Sequence, residues 1–388
     1  MSEPESAGKR VTWAELFFDL VFVFAVTEVS ALLHADHSWA GVGRALVLFV
    51  PLWWAWVGTT VHANTRDVDN PVDRAGIFLV GLCSLFMALA VPEAYGERGL
   101  LFGGGYLVLR GVLAYLYFRR GRIVLSPFSM GLFVTGPLLL AGGFAPGGWR
   151  PALWALAGLV DLSVPAMLRR RLARIQFDAD HMPERFGLFV IIALGESIVA
   201  IGANASQRPL DAARLAAVAL AFTVACALWW VYFAFAVNAF RHAVATAEVQ
   251  TDIIRQVLAY GHLLLIAAII AVAVGLAEVV VEPARQLAPG VAALLFGGCA
   301  LYLGTFGYTR WRMFRTMSWT RVGGAVACLA VLVPASRVPA LVALAILTAL
   351  LVALNVVEAS LQRRIRRAYI RLSTEDTSTQ GTPRVSTD

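Results

Sequence analysis

Twelve predominantly apolar runs dominate this chain, at about 13–34, 43–63, 75–92, 99–118, 124–145, 150–168, 183–203, 212–240, 253–280, 288–309, 321–334 and 338–359. A helix needs roughly 20 such residues to cross the hydrocarbon of a bilayer. Runs this long, without the alternation of barrel strands, read as helices, which satisfy their own backbone hydrogen bonds in lipid. With 59% hydrophobic and only 15% charged residues, no water-soluble domain could cover its apolar surface. The expectation is an all-α polytopic membrane protein with about twelve transmembrane helices, its main partner the lipid bilayer. The first run carries acids and lacks a small-residue cleavage site, so it reads as helix one rather than as a removed signal.

The net charge of +7 does not point to nucleic acid once the 32 basic residues are placed against the spans. On alternate sides, 24 fall with the N-terminus and seven fall opposite, leaving Arg110 inside a span. By the excess of Lys and Arg in cytoplasmic loops, both termini are expected in the cytoplasm of a bacterial plasma-membrane protein.

The chain resembles itself. "FDLVFVFAVTEVSAL" (18–32) lies over "FGLFVIIALGESIVAI" (186–201) with Phe18 on Phe186 and Glu28 on Glu196, and "WWAWVGTTVH" (53–62) lies over "WWVYFAFAVN" (229–238). "LLFGGGYLVL" (100–109) and "RPALWAL" (150–156) find "LLFGGCALYL" (294–303) and "VPALVAL" (338–344) in the same order. This predicts two parallel six-helix repeats, 13–168 and 183–359, since an even number of spans brings both halves in from the same side. A cytoplasmic linker, 169–182, joins them, and a hinge would fall at 171–184, the most polar internal stretch. Residues 1–12 read as an unstructured tail, and 360–388 as a basic amphipathic segment (361–372) on the inner leaflet followed by an unstructured end.

Acids inside such spans are the candidate functional groups, because an ionised side chain at the bilayer centre costs at least ~2.5–3.5 kcal/mol. Glu28 and Glu196 each lie about 15 Å along their helices, counted from Phe18 and Phe186, which is near the midplane. Arg110 and Asp161 reach a similar depth and have no charged counterparts in the repeat, which leaves two readings: mutual neutralisation, or a place in a polar pathway. Glu15 and Asp19, four apart, share one face near the cytoplasmic mouth of the first helix. These six are the candidate ion or proton pathway.

A cytoplasmic set comprises Asn64, Asp67 and Asp69 with His181, Glu184 and Arg185. Pro183 and Glu184 suit a helix start and its dipole. His181 with Glu184 supplies at most two metal ligands, as does His34 with His37, so no closed metal site is expected. His262 reads as a packing residue able to titrate. Trp53, Trp54, Trp56, Trp229 and Trp230 read as core, and the four separate cysteines as packing residues. No phosphate loop, dinucleotide fingerprint, nucleophile elbow or zincin motif appears, so no cofactor is expected and catalysis is disfavoured.

"ELFFDLVFVFA" (15–25), "NTRDVD" (64–69) and "HMPERFGLFVIIALGESIVAIG" (181–202) resemble the signature blocks of the bacterial low temperature requirement protein A (LtrA) family. The resemblance implies a polytopic plasma-membrane protein. "FFDLVFVFAVT" (17–27) is also similar to the Phe-Ser-Asp-x-x-Phe motif of lysosomal and bacterial potassium leak channels, with Phe18 in place of the serine and Gly187 where a second aspartate would stand.

The acids favour a secondary transporter or ion-conducting protein that moves protons, cations or a small molecule. The alternative is an intramembrane enzyme acting on lipid, or a membrane sensor or scaffold, with Asp67, Asp69, His181 and Glu184 at its site.

Overall fold

The computed structural model describes residues 9–119, 121–146, 148–234 and 236–379, with the side chains of 365–379 excepted. Most of the N-terminal tail, the last nine residues and the side chains of most of the basic amphipathic segment lie outside the described residues. Among the described residues there is no strand, and ten helices are long and apolar enough to cross a membrane. They are α1 (Trp13–Ala35), α2 (Trp39–Thr65), α3 (Pro71–Glu93), α4 (Gly99–Phe118) and α5 (Pro127–Phe144), then α7 (His181–Ser206), α8 (Ala212–Thr246), α9 (Gln250–Val281), α10 (Pro289–Phe314) and α12 (Ala340–Arg364). Two further helices fall at the remaining apolar runs. α6 (Trp149–Met167) is made less apolar by Arg150 and Asp161, and α11 (Trp319–Ala335) has 17 residues. The backbone of α12 stays helical to Thr379, seven residues into the stretch read as unstructured, because extending an existing helix is far easier than starting one.

Local signals explain the helix starts. Thr12 and Glu15 form a capping box on α1. The side chains of Ser38, Asn70, Ser126 and Asp211 cap α2, α3, α5 and α8, and proline stands first in α3, α5 and α10. Two helices carry π-helical turns, Gly131–Thr135 in α5 and Ile254–Ala259 in α9. Such turns rotate side chains out of register and frequently mark functional positions.

In the first six helices α1 packs on α2 and α3, α3 on α4, α4 on α5, α5 on α6, and α6 returns to α2. The last six repeat these neighbours: α7 on α8 and α9, α9 on α10, α10 on α11, α11 on α12, and α12 on α8. The halves meet where α1 and α2 lie against α7 and α9. An aromatic cluster fills that seam. Trp56 sits 4.6 Å from Phe189 and 4.9 Å from Phe186 between ring centroids, and Phe22 sits 6.1 Å from Phe189. Trp53 Nε1 donates to the Ala259 carbonyl at the end of the α9 π-helical turn, 3.0 Å, so the irregular backbone finds its partner in the other half. Large apolar side chains such as Phe17, Leu20, Phe78 and Phe222 cover the outer surface, as lipid contact requires.

One expectation needs correction. Trp229 and Trp230 are 42% and 49% exposed, on the outer face of α8 rather than in the core. Depth along a helix can be counted from sequence, whereas rotation about its axis is set by the partners. Trp56, though buried, also meets a cation, with the Arg185 guanidinium 5.6 Å from its ring. The linker 169–182 hydrogen-bonds to both halves: Asp178 N–H donates to Asn64 Oδ1 (3.0 Å), and Phe177 N–H to Gln250 Oε1 (2.7 Å).

Candidate functional site

The seam between α1 and α7 gathers most of the candidate residues. At its N-terminal end Glu15, Asp19, His181 and Arg185 are all at most 1% exposed. Arg185 Nη1 and Nη2 donate to the two Asp19 oxygens at 2.8 and 2.9 Å, and Trp56 Nε1 donates to Asp19 Oδ1 at 2.8 Å. His181 Nε2 lies 3.1 Å from Glu15 Oε2. Arg185 Nε lies 3.3 Å from that oxygen without hydrogen-bond geometry. The other Glu15 oxygen accepts from the Thr12 backbone N–H (3.1 Å) and hydroxyl (3.0 Å).

Asn64 orients the His181 ring and selects its tautomer. Asn64 Oδ1 accepts from the Asp178 backbone, which orients the amide so that its Nδ2 faces His181 Nδ1 at 3.1 Å. Nδ1 is then an acceptor, and a neutral imidazole carries its proton on Nε2, facing Glu15. The set brings two carboxyl groups, one imidazole and one guanidinium together.

The surrounding loops hold this set in place. Asp178 accepts backbone N–H bonds from Lys9 (3.0 Å), Asp180 (3.0 Å) and His181 (2.8 Å). Burial works to raise its carboxyl, but these donors hold it below the usual carboxylate range. Burial pulls the Lys9 amine down, and its Nζ donates to the carbonyls of Ala63 and Arg66. Asp67 and Asp69 are exposed on the loop after α2, where Asp69 faces Arg74 at 3.6 Å. Glu184 is partly buried in the first turn of α7 and forms no ion pair among the described residues.

Glu28 and Glu196 lie further along the same seam, nine residues beyond Asp19 and eleven beyond Arg185, or ~14–17 Å. Glu196 is 6% exposed, within hydrogen-bonding reach of the Thr27 side chain and within electrostatic range of Glu28. Glu28 is partly buried, and Arg98 is the cation that acts on it from a distance. Neither acid forms an ion pair among the described residues. The aromatic cluster of Phe22, Trp56, Phe186 and Phe189 stands between this pair and the charged set below.

Arg110 and Asp161 are held apart from the seam. Arg110 Nη2 donates to Asp161 Oδ1 at 2.8 Å, Thr135 donates to the same oxygen at 3.0 Å, and the Tyr106 hydroxyl donates to Oδ2. A side chain at Gly131 would place its Cβ 2.0 Å from Arg110 Nε, so only glycine leaves room for this guanidinium beside the π-helical turn. His262 is a satisfied core residue, with Nε2 2.8 Å from the Tyr232 hydroxyl and Nδ1 3.2 Å from the Val257 carbonyl. The four cysteines are unpaired.

Sequence reasoning missed three associations. His62 pairs with Asp73 at 2.9 Å, and Arg321 pairs with Glu358 at 2.9 Å. Glu278 of α9 comes to His34, with Oε1 3.5 Å from Nε2. Each joins separate helices, and the acids near helix ends were the available signal.

The family model described as Bacterial low temperature requirement A protein (LtrA) matches residues 10–356. An uncharacterized protein of Rhizobium meliloti (strain 1021), RA0937, is 31% identical over 310 residues, covering 76% of this chain and 75% of that protein. No solved structure matches. The match embraces every helix of the α1–α7 seam, and this multi-pass membrane chain belongs to the bacterial low temperature requirement A family.

Proposed function

We propose that this protein is a proton- or cation-linked secondary transporter or ion-conducting protein whose path follows the α1–α7 seam. The observation that carries the reading is that Glu28 and Glu196, two acids of one membrane seam, lie within electrostatic range of one another and form no ion pair among the described residues. An acid so placed is retained for binding a proton or cation rather than for holding helices together. The charged set of Glu15, Asp19, His181 and Arg185 lies at one end as a proton acceptor, and the aromatic cluster separates it from the glutamates as a barrier. Twelve spans arranged as two parallel six-helix repeats, the repeated helix neighbours supporting them, put the seam on the axis between the halves. The arginine excess in alternate loops supports cytoplasmic termini in a bacterial plasma membrane.

The test is flux into proteoliposomes followed with a pH-sensitive dye and with cation-sensitive electrodes. The parent chain is expected to move protons or a cation under a gradient, and Glu28→Gln and Glu196→Gln to lose that flux while remaining folded. Flux in the double variant equal to that of the parent would defeat the proposal.

One observation favours a second reading, binding of an anionic amphiphile. A cavity of about 330 Å³ carries Arg66, Arg110 and Arg255 over apolar walls such as Trp54, Phe128 and Phe177, with no carboxylate in its described lining. Of these, Arg110 pairs with Asp161 and Arg255 shares Asp252 with Arg169, while Arg66 forms no ion pair among the described residues. Native mass spectrometry tests it: a bound anionic lipid, lost in Arg66→Gln/Arg255→Gln, would move the weight to this reading.

A further inference from the structure

We propose that His34, His37 and Glu278 form a binding site for a divalent transition cation of the zinc class, on the face of the molecule opposite the N-terminal segment. The inference stands apart from the transport reading and does not depend on it.

The three residues arrive from two helices and one connection. His34 occupies the last turn of α1, His37 follows in the short connection to α2, and Glu278 stands in the last turn of α9. One donor atom from each lies within 4.8 Å of the others. The His34 Nε2 to Glu278 Oε1 separation is 3.5 Å. Two ligands bound at 2.0–2.1 Å in tetrahedral geometry stand about 3.4 Å apart, so that pair already has the required spacing and His37 needs only a small closure. Imidazole and carboxylate are the donors that zinc and its first-row neighbours accept together.

Two features distinguish the cluster from a chance surface grouping. His37 Nε2 is buried and has no hydrogen-bond partner, an arrangement that costs free energy unless something binds it. The connection that carries it is also seated by close backbone packing. A Cβ at Gly41 would fall 2.0 Å from the Asp36 carbonyl oxygen, and one at Gly290 would fall 2.7 Å from that of His37. Both glycines therefore let the 36–37 backbone lie directly on α2 and α10, so the His37 ring is presented from a fixed support. The C-terminal end of α1 adds a favourable dipole for a cation beside His34.

Three protein ligands leave one or more coordination positions open, the pattern of sites where a metal meets water or a substrate rather than a closed structural site. His37 also lines a cavity of about 550 Å³ with Leu33, Val42, Phe49 and Ile270, so a cation held here borders an apolar chamber between the two halves.

The experiment uses the full chain in detergent after chelator treatment. Zinc is titrated against a fluorescent competitor, and cobalt(II) is added separately to read its visible absorption, which intensifies in four-coordinate sites. The parent is expected to bind one equivalent of zinc and to give the cobalt spectrum. His37→Ala and Glu278→Gln should each weaken zinc by at least about tenfold, the low end of what loss of even a supporting partner costs. His34→Gln is the milder third variant, since its side chain is already 42% exposed and its loss leaves the packing intact. Metal-free thermal stability is measured alongside, to show that each variant is folded. Absence of stoichiometric binding by the parent, or unchanged zinc affinity in folded His34→Gln/His37→Ala, overturns the assignment.

Discussion

Arg185 of α7 grips Asp19 of α1 through two parallel N–H···O contacts of 2.8 and 2.9 Å, with both side chains sealed from solvent. This fork ties the two halves of the molecule, and the Trp56 indole completes it from α2. Its planar geometry is one that a lysine cannot reproduce.

Removing that guanidinium leaves Asp19 and Glu15 buried together without their cation. Arg185→Ala should therefore destabilise the protein by about 3–5 kcal/mol, the usual consequence of breaking a buried pair from one side. Arg185→Lys should recover only part of this. Thermal unfolding of the detergent-solubilised protein checks both, and a variant as stable as the parent would show that the seam is held by its aromatics alone.

The Arg110–Asp161 pair should behave differently when both partners go. Arg110→Ala alone leaves Asp161 with only the Tyr106 and Thr135 hydroxyls and should lose about 3–5 kcal/mol. Arg110→Met/Asp161→Leu replaces the pair by apolar volume and should regain most of that loss. Stability of the two singles and the double, compared as a cycle, measures the coupling. Similar instability in all three would place the role of Arg110 in the neighbouring cavity instead of in the pair.

Much of this architecture could be read from residues near in sequence. The Thr12–Glu15 capping box, the Ser38 and Asn70 caps and the limits of the apolar runs mark helix ends because they depend on contacts within one turn. The similar depth of Glu28 and Glu196 could be read by counting residues along α1 and α7. What could not be read depends on rotation and on distant partners. Trp229 and Trp230 face outward because of how α8 packs, and Glu278 joins His34 across 244 positions of the chain. The π-helical turns leave no composition signal, yet they decide that Thr135 reaches Asp161 and that Trp53 finds Ala259.

Close approach of α4 and α5 rests on Gly103, whose ideal Cβ would fall 2.3 Å from the Leu139 carbonyl oxygen and 2.8 Å from its carbon. Backbone cannot move aside as a side chain does, so Gly103→Ala should cost about 1–3 kcal/mol through separation of the helices. The adjacent Gly104→Ala meets nothing nearer than a Leu140 methyl at 3.9 Å and should be neutral or slightly stabilising, by up to ~1 kcal/mol. Parallel melts of the two variants make the comparison.

Acid should loosen the connection between the halves through Asp178. Its folded-state carboxyl is held low by the backbone donors of His181, Lys9 and Asp180 against the opposing effect of burial. A depressed carboxyl contributes stability that is present above its unfolded value, about 3.9, and is lost as pH falls through the lower folded value. The melting temperature of Asp178→Asn should accordingly depend less on pH than that of the parent below about pH 4. Parallel pH dependence in the two proteins would remove Asp178 as the acid-sensitive contact.

Glu28 and Glu196 should act in flux as one unit. Each lies within electrostatic range of the other, so removing either changes the charge that its neighbour experiences and disables the same step. Glu28→Gln, Glu196→Gln and the double variant should then show nearly equal losses of flux, far from the product of two independent effects. Since neither acid supports an ion pair among the described residues, all three variants should keep the thermal stability of the parent within about 1 kcal/mol. Flux in proteoliposomes and melting in detergent separate the outcomes. Independent losses that multiply would place the two acids on different steps, and a large loss of stability would make them structural.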